Sequence, residues 1–137
     1  MPKVIPELPG IEPIFNPLAG EVLPISNAVE VNGLVFIAGQ AGHLPGDREL
    51  PVGGVAAETR LALEKIGRIL KAAGLGFKDV VKANVFLADF DDLERARMEM
   101  NAVYREYFAT DPPVRCTLGV ARLPLGGHVE IEVIAAR

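Results

Sequence analysis

The chain has 137 residues with 14 Lys and Arg against 18 Asp and Glu, a net charge of −4 and a single cysteine. That length fits one domain with one core, scattered cations under an acidic balance argue against a nucleic-acid surface, and one cysteine excludes an internal disulfide framework. The start, MPKVIPELPGIEPIF, is broken by prolines and lacks the apolar core of a secretory signal, and no stretch reaches the roughly 20 apolar residues of a membrane span, so the chain reads as cytoplasmic.

Residues 1–23 carry Pro2, Pro6, Pro9, Pro13 and Pro17 and read as an extended segment wrapping the surface, with 24–137 as the folded domain. Ala28–Val31 and Leu34–Ala38 flank Asn32-Gly33, a pair suited to the positive φ angles of a type I′ turn, which predicts a β-hairpin. The glycines and prolines of 41–54 predict a loop. From Val55 to Ala73, Thr59, Ala62, Leu63, Ile66, Ile69 and Leu70 recur at helical spacing, with Gly74 in the stop position. Asp79–Leu87 alternates Val81, Ala83, Val85 and Leu87 against Lys82, Asn84 and Phe86, as a strand buried on one side does. Asp91 with Glu94 predicts a helix start, and Leu93, Ala96, Met100, Val103, Tyr104, Tyr107 and Phe108 form the stripe of a second helix that Asp111-Pro112-Pro113 ends.

The last third predicts two strands, within Pro112–Pro124 and Leu125–Ala135, paired antiparallel across a turn supplied by Pro124, Gly126 and Gly127. In the first, Val114, Cys116, Leu118 and Val120 form one face and Arg115, Thr117 and Gly119 the other. In the second, Val129, Ile131 and Val133 oppose Glu130 and Glu132. This pairing puts Arg115, Thr117, Glu130 and Glu132 on one face and turns Cys116 into the core. The order of elements is that of an α+β domain, a mixed sheet with two helices on one face. The other face then needs a cover, for which a second copy of the chain is the expected source.

Arg115 suits a carboxylate, because its planar fork donates two parallel hydrogen bonds; it could equally pair with Glu130 or Glu132 and only fix strand register. Glu130 could direct a water, or sit in a solvated ion pair. Thr117 could bond a ligand or be simply a good strand residue. His43 and His128 form no ligand set with metal spacing, and no cofactor motif is present.

These residues resemble the YjgF/RidA family of imine and enamine deaminases. The likeness runs from Pro24-Ile25-Ser26-Asn27-Ala28 through LVFIAGQ (34–40), DVVKANVFLADFDD (79–92) and NAVYREYF (101–108) to PPVRCTLGVARLP and VEIEVIA. It implies a chorismate-mutase-like homotrimer with ligand clefts between subunits, and hydrolysis of 2-imino acids to 2-oxo acids and ammonia without a cofactor. Residue by residue, it implies that Arg115 clamps the substrate carboxylate, Glu130 handles the attacking water, and Gly39, Thr117, Asn101 and Ile25 line the cleft. Ile25, Ala38 and Thr117 stand where the family usually has tyrosine, serine and cysteine. Those departures also fit a non-catalytic binder of small carboxylates such as 2-oxo acids. Some relatives carry an endoribonuclease label, which the acidic charge argues against.

Overall fold

Asn32 and Gly33 both take positive φ, 51° and 76°, and close the expected hairpin between β3 (Ala28–Val31) and β4 (Leu34–Ala41). The computed structural model describes residues 2–88 and 92–137. The remaining elements are β1 (Phe15–Asn16), β2 (Glu21–Val22), α1 (Gly54–Ala72), β5 (Val80–Leu87), α2 (Leu93–Tyr107), β6 (Val114–Gly119) and β7 (Val129–Ala136). β1 and β2 form a small hairpin of their own, and the other strands make a five-stranded sheet in the order β3-β4-β7-β5-β6. Among the described residues no helix is long and apolar enough to cross a membrane.

This order overturns the expected C-terminal hairpin. β6 and β7 do not touch as partners, because β5 lies between them, antiparallel to β7 and parallel to β6. The reason is the unit β5-α2-β6: a strand, a covering helix and a second strand pair parallel, and the connection from β6 then carries the chain back across β5. The turn at Pro124–Gly126, with Leu125 at φ 54°, therefore bridges non-adjacent strands.

Both helices cover the same face. The buried stripe of α1 (Val55, Glu58, Thr59, Ala62, Leu63, Ile66, Ile69, Leu70) and Ala96, Met100, Val103 and Tyr104 of α2 lie over Val35, Ile37, Ala83, Val85, Leu87, Val129, Ile131, Val133 and Ala135. Fully buried Leu63, Ile66 and Leu70 each contribute roughly 2 kcal/mol by leaving water. α1 stops where Gly74 takes φ 77°, with Leu75 N–H donating to Leu70 O and Gly74 N–H to Lys71 O, a Schellman arrangement.

Two details of phase differ from expectation. Val81 is 45% exposed rather than buried with Ala83, because the register between β5 and β7 shifts between Val80 and Lys82 and Val80 takes the inward position. The helix cap expected at Asp91 lies outside the described residues; within them, the Asp92 carboxylate accepts the Arg95 N–H at 2.9 Å and caps α2.

After β4 the chain crosses α1 at very short range, and a side-chain carbon at Gly42 would overlap the backbone of Glu58. Gly42→Ala should therefore cost about 3 kcal/mol and lower Tm by roughly 10 °C in thermal denaturation. An unchanged Tm would show that the crossing is not tight.

Candidate functional site

β6 pairs with β5 in the register Ala83↔Arg115 and Val85↔Thr117. Since Ala83 and Val85 face the helices, so do Arg115 and Thr117. Cys116 consequently points the other way and is exposed, not in the core. The expected face assignment of this strand is thus inverted. The apolar residues Val114 and Leu118 stand exposed on the open face, while the arginine sits under α2. Gly119 completes the helix-side row, where a side-chain carbon would come 3.0 Å from Leu93 Cδ2.

Arg115 is half-buried, and α2 provides its seat. Its guanidinium carbon lies 4.7 Å from the centroid of the Tyr104 ring, and Nη1 is 3.9 Å from the Met100 sulfur. Such contacts fix a cation without neutralising it. No described carboxylate lies within ion-pair distance of it, so the register-fixing pair with Glu130 or Glu132 is not what the arginine makes. Arg115, Asn101, Tyr104 and Phe108 line an open hollow of about 420 Å³. Around Arg115 the buried Asn101 Oδ1, Tyr104 Oη and Thr117 Oγ1 have no hydrogen-bond partner among the described residues. Buried polar atoms left unpaired cost about 1–3 kcal/mol each; of these three, the two hydroxyls beside the unneutralised cation can donate to an anion, whereas the Asn101 oxygen can only accept. Burial pushes the Tyr104 hydroxyl above its usual range, with Arg115 pulling the other way, so it stays protonated and able to donate.

Glu130 belongs to a different surface. It pairs with Phe86 and Ala41 on the open face, and Glu132 beside it accepts the Asn84 Nδ2–H at 3.0 Å. β4 is irregular between Ile37 and Gln40, and there Gly39 receives the Glu130 carboxyl: a side-chain carbon at Gly39 would lie 3.1 Å from it. Any side chain there would push the Glu130 carboxyl aside by a few tenths of an ångström. Burial first, and the Glu132 charge second, raise the Glu130 carboxyl above its ordinary value of 4.5. Ile25 is 50% exposed two residues ahead of Asn27, whose carbonyl accepts the Ala38 N–H beside Gly39. The expected site residues therefore fall into two groups, Arg115, Thr117 and Asn101 in one and Glu130 and Gly39, with Ile25 nearby in the chain fold, in the other. Phe86 faces both Leu118 and Glu130, so Arg115 and Glu130 differ by two strands across the sheet and three residues along it, roughly 10 Å each way, on opposite faces.

Sequence reasoning missed Tyr104 and Met100 as the seat of Arg115, although both were in the α2 stripe. It also missed Glu58, which is buried and accepts the His128 backbone N–H at 2.7 Å while its other oxygen meets His128 Nδ1 at 2.7 Å. Its position among Val55, Thr59 and Ala62 on one helical face was the available signal.

With this geometry in place, residues 20–137 match the family model described as Endoribonuclease L-PSP. The chain belongs to that family, also called RidA/YjgF. A 2-iminobutanoate/2-iminopropanoate deaminase of Bos taurus is 48% identical over 114 residues, covering 83% of this chain and 80% of that protein. The protein of that name in Homo sapiens is 43% identical, covering 85% and 82%. Among solved L-PSP/RidA structures, RidA from an Antarctic Psychrobacter superposes with a TM-score of 0.74 at 38% identity, covering 86% of this chain and 92% of that one. E. coli TdcF with bound serine gives 0.74 at 36% identity, covering 86% and 91%.

The unpaired Thr117 hydroxyl, two residues along β6 from Arg115, is open to a direct test. Thr117→Val keeps the shape and removes a buried group without a partner, so it should raise stability by about 1 kcal/mol, a Tm gain of roughly 3 °C. A clear loss of Tm would mean that the hydroxyl has a partner within the fold.

Proposed function

We propose that this protein is a hydrolytic deaminase that converts 2-imino acids to 2-oxo acids and ammonia, and that it works as a homotrimer with its clefts between copies. The observation that carries this reading is the separation of Arg115 from Glu130. A small imino acid cannot span from one face of a sheet to the other, so one chain cannot apply both groups to it; a cleft in which Arg115 of one copy meets Glu130 and Gly39 of the next can. The open face supports assembly, since Phe36 at 40% and Leu118 at 51% exposure, with Val114, present apolar surface that another copy would cover. The names of the relatives supply the reaction, and serine bound to TdcF is itself a small carboxylate.

In this mechanism Arg115 grips the substrate carboxylate with two N–H donors, and the protonated Tyr104 hydroxyl steadies the same end. Glu130, ionised and seated against Gly39, takes a proton from water as the oxygen attacks the C=N carbon. The nitrogen then leaves as ammonia. A small-carboxylate binder without turnover is the second reading, favoured by the fact that the Arg115 hollow forms within one chain while Glu130 is absent from it.

The raised Glu130 carboxyl sets a sign for pH. The base must be ionised, so kcat/KM for imino acids generated in situ should climb with pH along a limb lying above 4.5, and Glu130→Gln should lose the limb together with about 100-fold in rate. Arg115→Ala should lose at least about 100-fold as well. If the two groups come from different copies, co-refolding the two inactive variants should restore about a quarter of wild-type activity, because that fraction of interfaces pairs an intact arginine with an intact glutamate. No recovery, or a monomeric mass at micromolar concentration, would overturn the shared cleft. A ligand-dependent thermal shift without ammonia release would favour the binder.

A further inference from the structure

The hollow beside Arg115 contains a second cation for which the deaminase reading has no use. Arg105 stands one helical turn after Asn101 on α2 and lines the same hollow. The sequence denies it a partner on its own helix: the positions three and four residues away are Ala102, Asn101, Phe108 and Ala109, none of them acidic. Three other helix arginines are paired with carboxylates, Arg60 with Glu106 at 2.6 Å, Arg95 with Glu99 at 3.5 Å and Arg97 with Glu94 at 2.6 Å, while Arg68 donates to the Gly10 carbonyl at 3.5 Å. The adjacent Glu106 is thus already engaged by Arg60 on α1. No described carboxylate lies within ion-pair distance of Arg105. Two guanidiniums facing one hollow raise its positive potential together, and an anion with a charge at each end lowers the energy of both.

We propose that Arg105 is a specificity residue that selects 2-imino acids bearing a second, side-chain carboxylate: Arg115 holds the carboxylate next to the imine and Arg105 the distal one. For turnover this rests on the deaminase reading; for binding it does not. The reaction is unchanged in its balance. Water adds across the C=N bond, the C–N bond breaks, nitrogen departs as ammonia with the imine proton and both protons of the water, and the oxygen remains as the 2-oxo group. The distal carboxylate is not altered. Arg105 also lies in the last turn of α2, where a cation complements the partial negative charge of the helix end. That role alone would leave ligand choice untouched, and ligand choice is what the test reads.

The test uses the full chain and two stable product-type acids, 2-oxobutanoate and 2-oxoglutarate, titrated by calorimetry into wild type, Arg105→Met and Arg105→Lys. Wild type should bind 2-oxoglutarate about 10-fold more tightly than 2-oxobutanoate; Arg105→Met, which keeps the stem and drops the charge, should lose most of that preference, and Arg105→Lys should retain part of it. Equal affinities in wild type, or a preference unchanged in Arg105→Met, would overturn the proposal. The ratio of kcat/KM for the corresponding imines should follow the binding ratio. A binding preference with no turnover of either imine would sink the deaminase reading and leave Arg105 as assigned; turnover of both without preference would do the reverse.

Discussion

The structure depends on β7 lying between β4 and β5. Val129, Ile131, Val133 and Ala135 of this strand are buried beneath the helices, and its other row, with Glu130, Glu132 and Ile134, fills the middle of the open face. Because strands alternate, the same backbone that anchors the core also displays two carboxylates on the opposite side. Placing β7 centrally forces β6 to the edge, beyond β5, and the parallel register there turns Arg115 toward α2. One pairing choice thus fixes which chemistry each face of the sheet carries.

Much of the fold was legible because its signals are local. Asn32-Gly33 specified the β3–β4 hairpin, the spacing from Val55 to Leu70 specified α1, and Gly74 marked its end. The pairing of β6 was not legible, since alternation gives two faces but does not say which neighbour supplies the core, and β6 is mostly exposed on the face with more apolar residues. Hydrophobicity misled there: Val114, Cys116 and Leu118 looked like core and form open surface. Arg115 and Glu130 stand out as candidates through resemblance more than through spacing. Their separation was not legible, because it follows from long-range topology. Helical spacing places Tyr104 in the apolar stripe of α2 and says nothing of its ring face, which holds the guanidinium.

Arg115 and Glu130 are made ready by different physics. The arginine keeps an unneutralised charge because its contacts are a ring face and a thioether, neither of which competes for its hydrogen bonds as a carboxylate would. The glutamate is tuned by partial burial and a like-charged neighbour against a glycine that leaves it room. Neither requires the other to be in place, since each setting forms from separate elements of the one fold.

β7 also comes after the other four strands of its sheet in chain order, although it is the middle one in space. Its pairing with β4 joins residues about a hundred positions apart, Leu34 with Ala136 and Val35 with Ala135. A growing chain can form the β3–β4 hairpin and the β5-α2-β6 unit early, with α1 packing on β4 and on α2, but within the sheet these two blocks join only through β7. During synthesis the sheet can therefore close only once residues 129–136 have left the ribosome, and until then the apolar undersides of both blocks stand open to whatever chaperone is nearby.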